Sequence, residues 1–161
     1  MRTRKNSTIV LAYVFWHRPR EDVDRPRYED ALARFHASLA NPSAVFRLDR
    51  LPFEDAGGYE DWYLVEDWAA LGELNRSAVD AAHGGYHDAA AELVAEGWGG
   101  VYALVRGESE PPTAARWQWK QPDDPATPFW QRQMVLGPAP EYCCVDGSPA
   151  GRVSLPEADI S

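Results

Sequence analysis

Cysteine is nearly missing from this chain of 161 residues: Cys143 and Cys144 are the two it has, and they are adjacent. Neighbouring positions disfavour an ordinary disulfide, so no covalent staple is expected and a reducing compartment, the cytoplasm, suits the chain. Long apolar runs are also missing, since no segment approaches the ~20 residues a membrane helix needs. The run from Ile9 to Trp16, preceded by basic residues, superficially resembles a secretion signal. It passes straight into His17, Arg18, Pro19 and Arg20, with no small-residue cleavage site. Positive charge is scarce, with 16 Lys and Arg against 25 Asp and Glu and a formal charge of −9. That balance repels phosphate backbones and anionic lipid, so neither nucleic acid nor a membrane surface is an expected partner. The scattered basic residues Arg2, Arg4, Lys5, Arg18, Arg20, Arg25 and Arg27 read as solvated charge flanking a strand. There is no HExxH pattern, no internal repeat and no decisive catalytic signature.

Aromatic residues, in contrast, are plentiful: seven Trp, seven Tyr and five Phe need a core, a pocket or an interface. Thr8 to Trp16 is apolar on both alternating faces, which predicts a central strand covered twice. Pro26 opens a helix in which Tyr28, Ala31, Leu32, Phe35 and Leu39 recur at helical spacing, ended by Asn41 and Pro42. Ala44 to Leu51 carries a charge at nearly every second place and reads as an edge strand. Tyr59 to Glu66 gives a third strand, and Asp67 is placed to cap a helix opening at Trp68, with Leu71, Leu74, Ala78 and Ala82 on its apolar side. Tyr86 to Gly107 reads as one phrase: a helix, a stop at Gly97, and a strand VYALV.

Strand, helix, strand, strand, helix, strand is the split βαβ order, so the fold class expected for residues 1–107 is α+β. This is a ferredoxin-like βαββαβ unit with two helices on one face of a four-stranded antiparallel sheet. Two helices cover one face only, and the doubly apolar first strand therefore calls for a second copy of the chain, or the tail, on the other. Residues 108–161 are punctuated by proline yet carry Trp117, Trp119, Phe129, Trp130, Met134, Val135 and Leu136. They read as an arm lying on the domain or on its mate. Arg116 to Lys120 would be extended, Phe129 to Leu136 one or two helical turns, Glu141 to Val145 a short strand, and Gly147 to Ser161 loose. VLAYVFW, the Pro26 helix, DWYLVEDWAAL and GGVYALVRG together resemble the dimeric α/β-barrel superfamily over roughly residues 8–107. That ferredoxin-like group includes antibiotic-biosynthesis monooxygenases, EthD-like and NIPSNAP-like proteins. The resemblance implies a homodimer whose sheets pair face to face, with small apolar ligands or haem between sheet and helices.

Several residues are candidates for chemistry. His17, at the end of the first strand, is the best general-base or haem-contact candidate, because imidazole takes and releases protons near neutrality. The plainer alternative is a strand-end histidine bonded to a loop carbonyl. Tyr13, Trp62, Tyr63 and Tyr102 lie on strands and are candidates to line a ligand pocket, with ordinary core packing as the alternative. His83 and His87, four apart, have the spacing of a chelating pair, but Gly84 and Gly85 weaken the helix that this presumes and no third ligand is near. Ligand contact or plain surface histidines are the readings left, and neither a metal nor a cofactor is expected. Glu60 and Asp61, like Glu66 and Asp67, point to opposite faces of a strand, so neither pair shares a substrate, and capping and solvation are expected of them. Gly97, Gly99 and Gly100 stand between helix and strand, the reverse of the order that cradles a phosphate. The expected function is binding of a small apolar or aromatic molecule, with cofactor-free monooxygenase-like activity in view. The alternatives are a non-catalytic dimeric module and haem binding or degradation.

Overall fold

A computed structural model describes residues 10–80 and 85–160. Strand β1 (Leu11–Pro19) sends Leu11, Tyr13, Phe15 and His17 beneath the helices and Ala12, Val14 and Trp16 to the opposite face. Helix α1 (Arg25–Ala37) starts at Asp24, whose carboxylate accepts the Arg27 amide hydrogen at 2.8 Å, and Pro26 occupies its first turn, where no amide hydrogen is needed. It buries Tyr28, Leu32, Ala33 and Phe35. Strands β2 (Ser43–Leu48) and β3 (Gly58–Val65) follow, then α2 (Trp68–Val79), capped by Asp67 through the Ala70 amide at 2.8 Å. The short α3 (Tyr86–Ala91) leads into β4 (Val94–Arg106). The remainder forms β5 (Arg116–Gln118), β6 (Phe129–Leu136), β7 (Tyr142–Cys144) and β8 (Arg152–Ser154).

These strands make one antiparallel sheet of eight, in the order β5-β7-β6-β4-β1-β3-β2-β8, with three helices among the described residues. The expected four-stranded ferredoxin-like sheet is therefore overturned: the segment after residue 107 is no arm but supplies half of the strands. Phe129–Leu136 pairs along β4, with Val101 opposite Met134, instead of coiling, because β4 offers it a free ladder of backbone donors and acceptors. Residues near the C-terminus, taken as loose, pair Arg152 and Val153 with Leu48 and Arg47, so β2 is not an edge. The edges are β5 and β8, three residues each, which leaves little unpaired backbone for another chain to join. Gly97 does not stop a helix either. It lies inside β4 and is not among the glycines with positive φ.

The curl of this sheet gives the chain two cores. Beneath the helices lie Leu11, Tyr28, Leu32, Phe35, Val45, Tyr63 and Val101. On the other face Trp16, Phe46, Leu51, Trp62, Tyr102, Trp130 and Cys143 pack together, roofed by the strands after residue 107. The physical reason for expecting a second copy is thereby removed, since the chain covers its own second face. Cys143 is free and buried there, Cys144 is free and buried apart from it with Phe129 and Tyr142, and burial, with Glu60 nearby, pushes the Cys143 thiol well up.

The centre of the second core is a carboxylate. Glu60 is fully buried, and its Oε1 accepts from the indoles of Trp16 at 2.9 Å and Trp117 at 2.8 Å. Its Oε2 accepts from the Trp62 indole at 2.8 Å and meets Arg152 Nη1 at 2.5 Å. The Arg152 guanidinium lies 3.8 Å from the Phe46 ring centre and donates from Nε and Nη2 to the Pro112 carbonyl. Solvation of Glu60, expected from its charge, is overturned because the strand bearing it is buried at every position. Burying an indole contributes about 4–6 kcal/mol, whereas an ion costs several kcal/mol to bury. The tryptophans thus hold the core together, and the carboxylate fixes where β5 and β8 dock. Glu60→Ala is expected to cost about 3–5 kcal/mol by stranding Arg152 and the indoles. Glu60→Gln, which keeps one acceptor, should cost less. Urea denaturation followed by tryptophan emission measures both, and two unchanged midpoints would contradict this ranking.

Candidate functional site

The helix-side face does not close completely. Between the sheet and helices α2 and α3 runs a cleft of about 740 Å³, in the range of small-molecule sites. Its floor is Asp61 and Tyr63 from β3, Tyr13, Phe15 and His17 from β1, Val101 from β4 and Met134 from β6. Leu71, Leu74, Asn75 and Ala78 of α2 roof it, Trp68 and Met134 stand half-exposed on it, and Phe35 and His87 close one side. Leu74 is the only residue of α2 that is buried, and Leu71 and Ala78 beside it are partly buried against the core while also lining the opening.

Two glycines explain the floor. By register Phe15 stands opposite Gly99 and His17 opposite Gly97. A Cβ on Gly97 would come within 2.4 Å of the Phe15 ring, and one on Gly99 within 2.9 Å of the Tyr13 hydroxyl. The rings of β1 lean over β4 because β4 has no side chains there. The result is a row of near-parallel rings: Tyr63 to Tyr13 at 6.0 Å, Tyr13 to Phe15 at 6.2 Å, and Phe15 to His17 at 5.2 Å.

At the inner end sits a buried polar chain. His17 Nε2 lies 2.8 Å from Asp61 Oδ1, with the two residues 1% and 2% exposed, so water does not screen the pair. The Tyr63 hydroxyl donates to Asp61 Oδ2 at 2.6 Å. The Tyr28 hydroxyl is hydrogen-bonded to His17 Nδ1. With Tyr28 donating, His17 carries its proton on Nε2, facing the carboxylate. His36 Nε2 approaches Oδ2 at 3.3 Å but off the line of a hydrogen bond, and its Nδ1 pairs with Ser43 Oγ at 2.9 Å. Burial alone would raise the Asp61 pKa, but the attraction of His17 and His36 and the His17 hydrogen bond outweigh it, holding the carboxyl well below its usual range. Burial first, and Asp61 second, push the phenols of Tyr13, Tyr28 and Tyr63 upward, so all three remain O–H donors.

Of the residues singled out from the sequence, the fold brings His17, Tyr13, Tyr63 and His87 to this cleft. His17 bonds to two side chains and not to a loop carbonyl, and with both ring nitrogens engaged it offers none to a haem iron. Trp62 and Tyr102 are corrected: both point to the opposite face, where Trp62 donates to Glu60 and the Tyr102 hydroxyl donates to the Pro140 carbonyl at 2.6 Å. Successive strand side chains alternate, so Trp62 and Tyr63 cannot share a pocket. His83 lies outside the described residues. Asp61, expected to be solvated, is instead the buried anion of the site. Sequence reasoning missed Asp61, Tyr28, Phe35 and Trp68. For Asp61 the signal was its parity with Tyr59 and Tyr63 in an otherwise apolar strand. Among the described residues no group of three or more His, Cys, Asp or Glu is arranged to hold a metal ion, and no helix is long and apolar enough to cross a membrane.

A smaller hollow of about 430 Å³ borders Leu48 to Pro52 and Gly151, but its buried charge, Arg152, is already committed to Glu60 and Pro112. No family of known proteins, no curated protein and no solved structure matches this chain.

The folded-state pKa of Asp61 lies below its unfolded value, so its stabilising contribution is complete above about pH 4 and is lost as pH falls through the folded value. Asp61→Asn is therefore expected to lower neutral-pH stability by about 3–5 kcal/mol and to flatten the decline of stability below about pH 4. Urea melts from pH 7 to pH 2 check this, and parallel curves for the two proteins would contradict it.

Proposed function

We propose that the protein binds a small, largely apolar, aromatic molecule in the cleft between its sheet and helices α2 and α3. The observation that carries this is the pairing of an open, aromatic-lined cleft with a buried polar cluster at its inner end, the composition by which small-molecule sites fix both affinity and orientation. Residence in a reducing compartment belongs to this reading, supported by the two free thiols.

A second reading, cofactor-free monooxygenase-like or isomerase-like turnover, is favoured by the His17–Asp61 pair, in which a carboxylate orients an imidazole as it does in acid–base sites. Asp61 itself, held so low, is a poor proton acceptor and serves to orient. For His17 to take a proton from a ligand, its Nδ1 must first release the Tyr28 hydroxyl, or Tyr28 must relay. Binding therefore needs no rearrangement and turnover does, which ranks the two.

Gly72 gives the test. It lines the cleft in the middle of α2, and a Cβ there would meet nothing within 4 Å. Gly72→Phe fills open space without straining the helix, and losing a mid-helix glycine removes a penalty of about 1 kcal/mol. Titration with the neutral dye N-phenyl-1-naphthylamine is expected to saturate at one site per chain, and Gly72→Phe to weaken it by about tenfold or more with no loss of thermal stability. A linear, unsaturable rise that ignores the substitution would refute the reading.

A further inference from the structure

We propose that the ligand is a neutral, flat aromatic carbonyl compound, an aryl ketone, aldehyde or quinone, whose oxygen accepts a hydrogen bond from the Tyr13 hydroxyl. This rests on the cleft being a ligand site and adds the chemical class. The polar atoms at the inner end are nearly all used: both His17 nitrogens and both Asp61 oxygens have partners, the Tyr63 hydroxyl donates to Asp61, and His87 Nδ1 sits 3.1 Å from Asp88. The Asn75 amide, the Trp68 indole and His87 Nε2 are also without a hydrogen bond among the described residues, but they belong to the roof and side, and on the floor it is the Tyr13 hydroxyl that is open. It lines the cleft, half-buried above Gly99, with no hydrogen-bond partner among the described residues. It is not sealed from solvent, so its hydrogen is open to an acceptor that a ligand brings, and a ligand that covered it without one would leave the donor unmatched.

Charge narrows the class. The ionisable groups facing the cleft are His17 from β1, Asp61 from β3 and His87 from α3, while β4, β6 and α2 contribute none. Asp61 is already bonded to His17 and Tyr63 with His36 close by, and His87 Nδ1 sits against Asp88. Among the described residues an ionised ligand would find no uncommitted counter-charge and would surrender its hydration for nothing. A carbonyl oxygen needs one donor, which is what the floor offers, and a flat ring attached to it would meet the apolar lining of Phe15, Val101 and Leu71.

The test is competition against bound N-phenyl-1-naphthylamine by three naphthalenes of one size: naphthalene itself, 2-acetylnaphthalene and 2-naphthoate. In the intact protein the ketone is expected to compete about tenfold more tightly than naphthalene, and the carboxylate more weakly than either. Tyr13→Phe should erase the ketone's advantage while naphthalene stays within about twofold, which also shows that the variant is folded with its cleft intact. Equal competition by ketone and naphthalene, an advantage that survives Tyr13→Phe, or naphthoate binding as tightly as the ketone would each overturn the assignment. Failure of the dye itself to bind would instead remove the cleft as a ligand site, and this inference with it.

Discussion

Two carboxylates on consecutive residues of one buried strand set the terms for everything else in this molecule. Successive side chains of a strand leave on opposite faces, so Glu60 and Asp61 are each forced into a different core. Neither can be buried without partners, since a lone ion in a low-dielectric interior costs far more than a domain's net stability. Each face has therefore gathered donors around its own anion. Glu60 holds three indoles and a guanidinium, and Asp61 holds an imidazole and a phenol with a second imidazole close by.

The two solutions differ in what they leave behind. On the Glu60 side the donors come from β1, β3, β5 and β8, so satisfying the carboxylate draws the far ends of the sheet together and seals the face. On the Asp61 side the donors come from β1, β3 and α1, and α2 and α3 contribute nothing to it. Those helices bury one residue each, Leu74 and Ala90, and the glycines of β4 leave rings and not packed aliphatics below. A cleft with a charged, ordered floor and a lightly held roof follows from that division.

Local features of this architecture were legible. Pro26 and Asp67 mark helix starts, the one because it needs no amide hydrogen there and the other because a cap bonds to an amide within three residues, and the two-sided apolarity of β1 states that both its faces are covered. The later strands were not legible, because β6 and β8 exist only through partners far away in sequence, and an isolated run such as FWQRQMVL has no periodicity that separates strand from helical turn. Gly97 was misleading for a related reason: a glycine that ends a helix and one that makes room for Phe15 look alike until the neighbouring strand is known. Parity was legible and decisive. The alternation that parts Glu60 from Asp61 also parts Trp62 from Tyr63, so a pocket holding both rings was excluded by the order of residues alone. His17 and Tyr13 could be found from their strand, but the anion that orients His17 could not, because charges in a strand usually mean solvent.

The organising role of the strand's paired anions is open to one direct observation in the intact chain, the hydrogen exchange of the seven tryptophan indoles followed by ¹H–¹⁵N correlation spectra. The indole hydrogens of Trp16, Trp62 and Trp117, bound to one buried carboxylate, should exchange as slowly as the amides of β1 and β3, while those of the exposed Trp68 and Trp119 exchange at once. Rapid exchange of all three would mean that Glu60 does not gather the second face, and the division of labour between the two carboxylates would not hold.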